Sequence, residues 1–416
     1  MINIKQILIF LALLILSVIL ATKVPVQQEL APDPTLYIGL AKNLAAGKGY
    51  YDTIRDDEIL PSIGHPMLLS LSLRLNASSY FDETLVFLSF IFIALAIWRY
   101  TGKFWLAVIA EILMFSILQE IGFYKFGIET SGISTASMLL CSLVYLYRGK
   151  SKIWWSVAFA ATALTLNILV RPTLLYIGIA ISVVLFVYAL TRHKEIFQKY
   201  QLMRYKLLIS TTITLFLIFL TYLISIGTYG DGRMIRGTYA AMNLYVANNE
   251  YVPADKTYSS KLLNDLPSEE KTNLINSAGW QNREKLLLNK TLEYIQSNPK
   301  RALEGWIWRL KKYLGNDYQP ENSLYSYKIQ ARLVIFLLVL QIAIFYLLRK
   351  NLCGKNTYLL STGIAFLLLF QIFQLVFFAW SGKRYLTYLV PFLVTAFALL
   401  VNDSWVLIHK FIRLKN

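Results

Sequence analysis

Asp33 is a carboxylate whose position singles it out as a candidate for chemistry. It stands between Pro32 and Pro34, just after an apolar run from about Ile4 to Ala21. An aspartate before a proline is a good helix N-cap. The same carboxylate could also act as a general base that takes a proton from a substrate hydroxyl. Both interpretations of Asp33 stay open from the sequence alone.

Other ionisable side chains lie near the ends of later apolar runs. Glu129 opens one run and could simply favour the positive end of a helix dipole. His65 and Tyr37 lie between the first two runs, where an ordinary loop histidine or an interfacial tyrosine would also fit. Three cations could anchor the chain at a membrane surface: Arg171, Lys383 and Arg384. Arg233 could be an ordinary solvated cation of a loop.

The elements that must position these residues are strongly apolar. Of 416 residues, 56% are hydrophobic, 14% are aromatic and only 16% are charged, which predicts an integral membrane protein. The formal net charge of +17 does not indicate nucleic acid, because Lys and Arg gather in the cytoplasmic loops of such proteins. The two cysteines, Cys141 and Cys353, predict neither a disulfide nor a thiolate metal site.

Apolar runs of roughly 17 or more residues predict a bundle of about ten transmembrane helices. Alternating them from a cytoplasmic N-terminus puts the basic connections on the cytoplasmic side. We therefore predict a multi-pass protein of the cytoplasmic (inner) membrane with both termini in the cytoplasm. The predicted spans lie near residues 4–22, 84–100, 104–122, 130–147, 153–170, 172–190, 207–226, 330–348, 357–379 and 385–408.

This topology leaves two long segments outside the cytoplasm. In the first, residues 34–46 should form a short helix with Asp33 as N-cap and Gly47 as its stop. In the second, the patterns predict two amphipathic helices, and aromatic residues such as Trp306 and Tyr313 in the later one suit a membrane interface. We predict three parts: a transmembrane module 1–226 with the first external loop 23–83, a helical cap 227–328, and C-terminal helices 329–416.

Several motifs, taken in their order along the chain, resemble the GT-C glycosyltransferases. These polytopic enzymes take sugars from polyprenyl-phosphate carriers and include the protein O-mannosyltransferases and the lipid A aminoarabinose transferases. The resemblance covers most of the chain. It rests on "DPTLYIGLAKNLAAGKGY" from Asp33, "PSIGHP" in the same loop, Glu129, "VRP" at 170–172, "YIQSNPKRAL" before the eighth span and "KRYLTYLVP" at 383–391. One departure is that the mannosyltransferases carry an Asp-Glu pair where this sequence has Asp33-Pro34.

The resemblance implies a role for each candidate residue. Asp33 would be the general base that takes the proton from an acceptor hydroxyl, with inversion at the anomeric carbon. Glu129 would be the second carboxylate, which orients the sugar or the acceptor. His65 and Tyr37 would contact the substrate. Charge that develops on the leaving phosphate would be stabilised by cations: Arg384, Lys383, Arg171 and Arg233.

We therefore expect a glycosyltransferase that moves one sugar from a polyprenyl-phosphate donor to a glycan, lipid or protein acceptor on the extracytoplasmic face. The alternatives are a polysaccharide polymerase or ligase and a flippase for lipid-linked sugars; a flippase should show repeat symmetry and interrupted spans. The expected partners are the lipid-linked sugar, the acceptor and membrane lipids. The sequence predicts no cofactor, no metal site and no nucleotide or nucleic-acid site.

Overall fold

The structure is a computed structural model that describes residues 4–27, 32–51, 60–148, 153–170, 201–230, 232–236, 241, 244–245, 247–251, 267–269, 280–314 and 390–415. Three predicted spans, 172–190, 330–348 and 357–379, lie outside these residues. The chain divides into two compact units. The first comprises Met1–Asp56, Pro61–Gly237 and Thr387–Asn416, and the second comprises Asp57–Leu60 and Thr238–Leu386. The predicted boundaries at 226 and 328 stay predictions.

The protein is mostly helical, as the apolar runs predict. The helices Trp280–Ser297 and Pro299–Leu314 belong to the second unit, and the other described helices belong to the first. Among the described residues the helices are, in chain order, α1 (Ile4–Ala21), α2 (Pro32–Ala45), α3 (Gly64–Arg74), α4 (Phe81–Thr101), α5 (Phe104–Ile121), α6 (Ile128–Arg148), α7 (Ile153–Val170), α8 (Gln201–Tyr229), α9 (Arg233–Arg236), α10 (Trp280–Ser297), α11 (Pro299–Leu314) and α12 (Val390–Lys415).

Within the described part of the chain, three helical segments are long and apolar enough to cross a membrane. They are Ile4–Ala21, Ser78–Thr101 and Leu208–Tyr229. Shorter apolar segments lie in α5, α7 and α12. The prediction of a membrane protein agrees with these helices, whereas the total of about ten spans, the kind of membrane and the orientation stay predictions.

The first helices pack around α4. Leu13 of α1 lies in a buried cluster with Ile91 and Ala94 of α4 and with Ala107 of α5. Within this bundle Ser17 of α1 donates a hydrogen bond to the fully buried carboxyl group of Glu111 on α5. The apolar faces and this polar contact together fix α1 against α5.

A two-stranded parallel pair, which the sequence analysis did not predict, joins the exits of α1 and α5. In it, β1 (Val26–Gln27) pairs with β2 (Phe123–Tyr124), with Val26 opposite Phe123 and Gln27 opposite Tyr124. Because the strands run parallel, the chain leaves both helices at the same end of the bundle. The next helices, α2 and α6, therefore both start from that end, which we call the site end.

The opposite end of the bundle carries cations and tryptophans. The ammonium group of Lys103, between α4 and α5, lies 5.9 Å from the ring of Trp105 and 5.8 Å from that of Trp405 on α12. Arg99 lies over the ring of Tyr145 at 5.9 Å. Clustered cations and aromatic rings of this kind are typical of a membrane–water interface.

Candidate active site

The helix α2 begins at Pro32, two residues earlier than predicted, so Asp33 lies inside its first turn instead of preceding it. The prediction of a helix over 34–46 is otherwise confirmed, since α2 ends at Ala45 and Gly47 follows in a left-handed conformation with φ of 71°. Tyr37, four residues after Asp33, shares a helical face with it. The side chain of Asp33 is outside the described part of the structure.

His65, at the start of α3, is the centre of the site end. Its exposed fraction is 0%. Its Nε2 lies 3.0 Å from the carbonyl oxygen of Phe126, and its Nδ1 lies 2.7 Å from the hydroxyl of Ser131 on α6. A carbonyl oxygen only accepts, so Nε2 carries a hydrogen, and in the neutral ring Nδ1 accepts the Ser131 proton. The ring of Tyr37 meets the imidazole edge-on, with 4.8 Å between centroids.

These contacts join three helices through one side chain. Tyr37 belongs to α2, His65 to α3 and Ser131 to α6, and Ser131 lies two residues after Glu129. Three of the predicted site residues, Tyr37, His65 and Glu129, are thus held at the site end, and Asp33 lies one turn before Tyr37 on the same helix. Because both nitrogens of His65 are engaged by protein groups, the contacts favour a positioning role for this residue.

The turn before α6 is held by Asp82, which the sequence analysis did not identify. Asp82 lies in the first turn of α4 and is buried. Its Oδ2 accepts the backbone N–H of Phe126 at 2.7 Å, and its Oδ1 accepts the hydroxyl of Thr130 at 2.9 Å. Phe126 has a φ of 58°, which few residues other than glycine adopt. The carboxyl group of Asp82 stabilises this conformation and with it the carbonyl that His65 binds.

Glu129 follows on the first turn of α6 and has an exposed fraction of only 4%. Its carboxyl group folds back over Gly127, as shown by the close approach of Oε2 of Glu129. A Cβ atom at residue 127 would clash with this oxygen. The same Cβ atom would lie 2.9 Å from the carbonyl oxygen of Tyr124. The absence of a side chain at residue 127 therefore leaves the space that this carboxyl group occupies.

The end of α7 approaches α3 closely. A Cβ atom at Gly64 would clash with the backbone of Leu169 and Val170, with its distance to the carbonyl oxygen of Leu169 only 2.6 Å. The hydroxyl of Ser62 also donates to the carbonyl of Val170 at 3.3 Å. Arg171 follows Val170 directly in the sequence and is itself outside the described residues. The chain therefore leads into "VRP" from a position adjacent to His65.

Arg233, in the short helix α9, also belongs to this end of the first unit. The backbone N–H of Ile63 donates to the carbonyl of Met234 at 2.8 Å, which ties α9 to the start of α3. The guanidinium group of Arg233 lies over the ring of Tyr229, 5.4 Å from its centroid. The hydroxyl of Tyr229 in turn accepts the N–H of Tyr50, in the loop after α2. A half-buried cation thus lies close to the turn that carries His65.

The remaining predicted cations, Lys383 and Arg384, lie outside the described residues. Across the described part of the chain, no three His, Cys, Asp or Glu side chains are grouped so that they could hold a metal ion. The site end could instead supply proton transfer through buried or partly buried carboxyl groups and anion binding through cations.

Ser131, Thr130 and Asp82 are the site-end residues that sequence reasoning missed. The run "ETSGISTAS" from Glu129 is unusually polar for a predicted span, and such polarity inside an apolar helix indicates a site or a polar packing contact. The sequence gives no sign of the role of Asp82, because a carboxylate in the first turn of a helix such as α4 is common. No family model matches the chain, and no curated protein matches it significantly.

Proposed function

We propose that this protein is a membrane glycosyltransferase of the GT-C type. It transfers one sugar from a polyprenyl-phosphate donor to an acceptor hydroxyl at the extracytoplasmic face. The observation that carries the proposal is the joining of α2 and α6 at the site end through Tyr37, His65 and Ser131. This contact, together with the parallel pair β1–β2, brings the helix of Asp33 and the helix of Glu129 to one end of the bundle.

The proposed reaction is a direct displacement at the anomeric carbon. The acceptor oxygen forms a bond to this carbon as the bond from the carbon to the phosphate oxygen breaks, so the configuration inverts. Asp33 takes the proton of the acceptor hydroxyl, and the electron pair of the broken bond leaves with the polyprenyl phosphate. Glu129, whose carboxyl group is withdrawn over Gly127, orients the sugar or the acceptor through hydrogen bonds.

The leaving phosphate gains negative charge, so cations around it lower the barrier. Arg233 supports this role because it lies on the helix that the amide of Ile63 fixes beside α3. Arg171, Lys383 and Arg384 are proposed on the sequence motifs alone. Arginine suits this task because its guanidinium group can bind two phosphate oxygens at once.

The direct test is sugar transfer by the purified protein in liposomes that contain lipid-linked sugars extracted from the native membrane, with release of polyprenyl phosphate as the readout. Asp33→Asn should lower the turnover at least about a hundredfold, which is the usual contribution of a general base. Glu129→Gln should lower it less, because this side chain orients and does not take the proton. Glu83→Gln is a matched control, since Glu83 is a half-exposed first-turn acid on α4.

Two outcomes would reject the proposal. Near-normal turnover by a folded Asp33→Asn variant would leave Asp33 as a residue of the first helical turn only. Movement of labelled lipid-linked sugar across the bilayer without release of polyprenyl phosphate would indicate a flippase. Both readouts come from the same liposomes, so the second outcome is distinguished from simple inactivity.

A further inference from the structure

One face of α11 packs inside the second unit. The indole N–H of Trp306 donates to Oδ1 of Asn248 at 2.8 Å. The guanidinium group of Arg309 donates to the same oxygen at 3.0 Å and to the carbonyl of Ala247 at 2.9 Å. Burial lowers the pKa of Arg309 to about 10, so this side chain is still a cation at neutral pH. These bonds fix the rotation of α11 about its own axis.

The neighbouring face of α11 is apolar and exposed. Leu303 and Ile307, one helical turn apart, have exposed fractions of 52% and 43%. A single exposed leucine needs no explanation, but two large aliphatic side chains that adjoin on one side of an amphipathic helix indicate a surface that is covered in the working protein. We call Leu303 and Ile307 the apolar row.

The charges of α11 indicate what covers this row. The helix has five basic residues, Lys300, Arg301, Arg309, Lys311 and Lys312, against one acidic residue, Glu304. By helical register, Lys300 lies along one side of the apolar row. Long basic side chains beside an apolar stripe allow the stripe to enter a bilayer while the ammonium groups reach the headgroups. A second copy of this face would instead bring like charges together.

We infer that α11 lies on the surface of a bilayer that contains anionic lipids, with Leu303 and Ile307 in the boundary between headgroups and acyl chains. The same chain contains helices that are long and apolar enough to cross a membrane, so a bilayer is available to α11. The sequence prediction of an interface on this helix rests on aromatic residues such as Trp306, and the inference adds the aliphatic row beside them. Trp306 also packs inside the second unit through its hydrogen bond to Asn248.

The inference is tested on the full-length protein in nanodiscs, with Cys141 and Cys353 replaced and a polarity-sensitive fluorophore on a single new cysteine. The probe sites are Leu303→Cys and Ile307→Cys, with Glu304→Cys as the matched control on the exposed polar side of the helix. The quencher is a phospholipid with a brominated acyl chain in a mixture of phosphatidylglycerol and phosphatidylcholine. Quenching should be several-fold stronger at 303 and 307 than at 304.

The charge dependence gives a second readout. Lys300→Gln should lower the ratio of immersed to free probe about fivefold, which is the contribution of one lysine near an anionic surface. Replacing phosphatidylglycerol by phosphatidylcholine should lower this ratio by about the same factor for each lysine that contacts the headgroups. Equal quenching at the three positions would overturn the inference. Probes at 303 and 307 that are shielded from water but not quenched by the lipid would also overturn it, because a protein partner or a second copy would then cover the row. No sugar transfer is measured, so this result is independent of the proposed function.

Discussion

Asp82→Ala should destabilise the site end by about 2 kcal/mol, because one backbone donor loses its acceptor there. The hydroxyl of Thr130 lies 2.9 Å from Oδ1 of Asp82 and 3.0 Å from the carbonyl of Gly127. Its single hydrogen can turn to Gly127 when Asp82 is removed. The N–H of Phe126, 2.7 Å from Oδ2, has no such second acceptor in the described contacts. This partly buried donor would lose its partner, at a cost of roughly 1–3 kcal/mol.

Asp82→Asn is the matched variant that separates geometry from charge. The amide oxygen can still accept from Phe126, and the amide nitrogen can donate to Thr130 once that hydroxyl turns to Gly127. We therefore expect Asp82→Asn to remain within about 0.5 kcal/mol of the parent protein, whereas Asp82→Ala falls by about 2 kcal/mol. The assay is the thermal midpoint of the purified protein in one detergent, where that loss corresponds to a shift of roughly 2–4 °C.

Two results would refute this reasoning about Asp82. An alanine variant as stable as the parent would mean that the turn at Phe126 does not depend on this acceptor. An asparagine variant as damaged as the alanine variant would mean that the charge, and not the hydrogen-bond geometry, supports the turn.

Three further substitutions test neighbouring contacts. Gly64→Ala should lower the free energy of unfolding by about 3 kcal/mol, because the new Cβ clashes with the rigid backbone at the end of α7. The readout is a lower thermal midpoint and yield, and a midpoint equal to that of the parent would contradict this packing. Gly127→Ala should displace the carboxyl group of Glu129 and lower sugar transfer more than it lowers the thermal midpoint, and unchanged transfer would argue against the placement of that carboxyl group. Tyr50→Phe removes a 2.5 Å hydrogen bond from a buried hydroxyl to the carbonyl of Pro61. It should lower the free energy of unfolding by about 1–2 kcal/mol in the same thermal assay. A variant as stable as the parent would show that this bond contributes nothing.

The helices could be predicted from the sequence because their signals are local. The apolar run before Ala21, the proline at residue 34 and Gly47 are read within a few residues of the elements they define. The start of α2 was misplaced by two residues because Pro32 and Pro34 both suit a first turn. The strands β1 and β2 have two residues each, too few for any periodic pattern.

The contacts that assemble the site end could not be predicted in this way. Asp82 and Phe126 are 44 residues apart, and His65 and Ser131 are 66 residues apart. A single sequence shows that each residue is polar but not which partner it finds. For the same reason the sequence does not show that the indole of Trp306 donates to Asn248, 58 residues away. Packing, and not local propensity, determines these pairs.

The account depends on the approach of Asp33 to Glu129 at one end of the bundle. The most direct measurement is cross-linking of the pair Asp33→Cys and Glu129→Cys in intact membranes by a short bifunctional thiol reagent, in a background without Cys141 and Cys353. The pair Gln27→Cys and Tyr124→Cys is the control, because these residues lie opposite each other in the parallel pair. The account predicts a cross-link in both pairs. A cross-link in the control pair but none between positions 33 and 129 would contradict it.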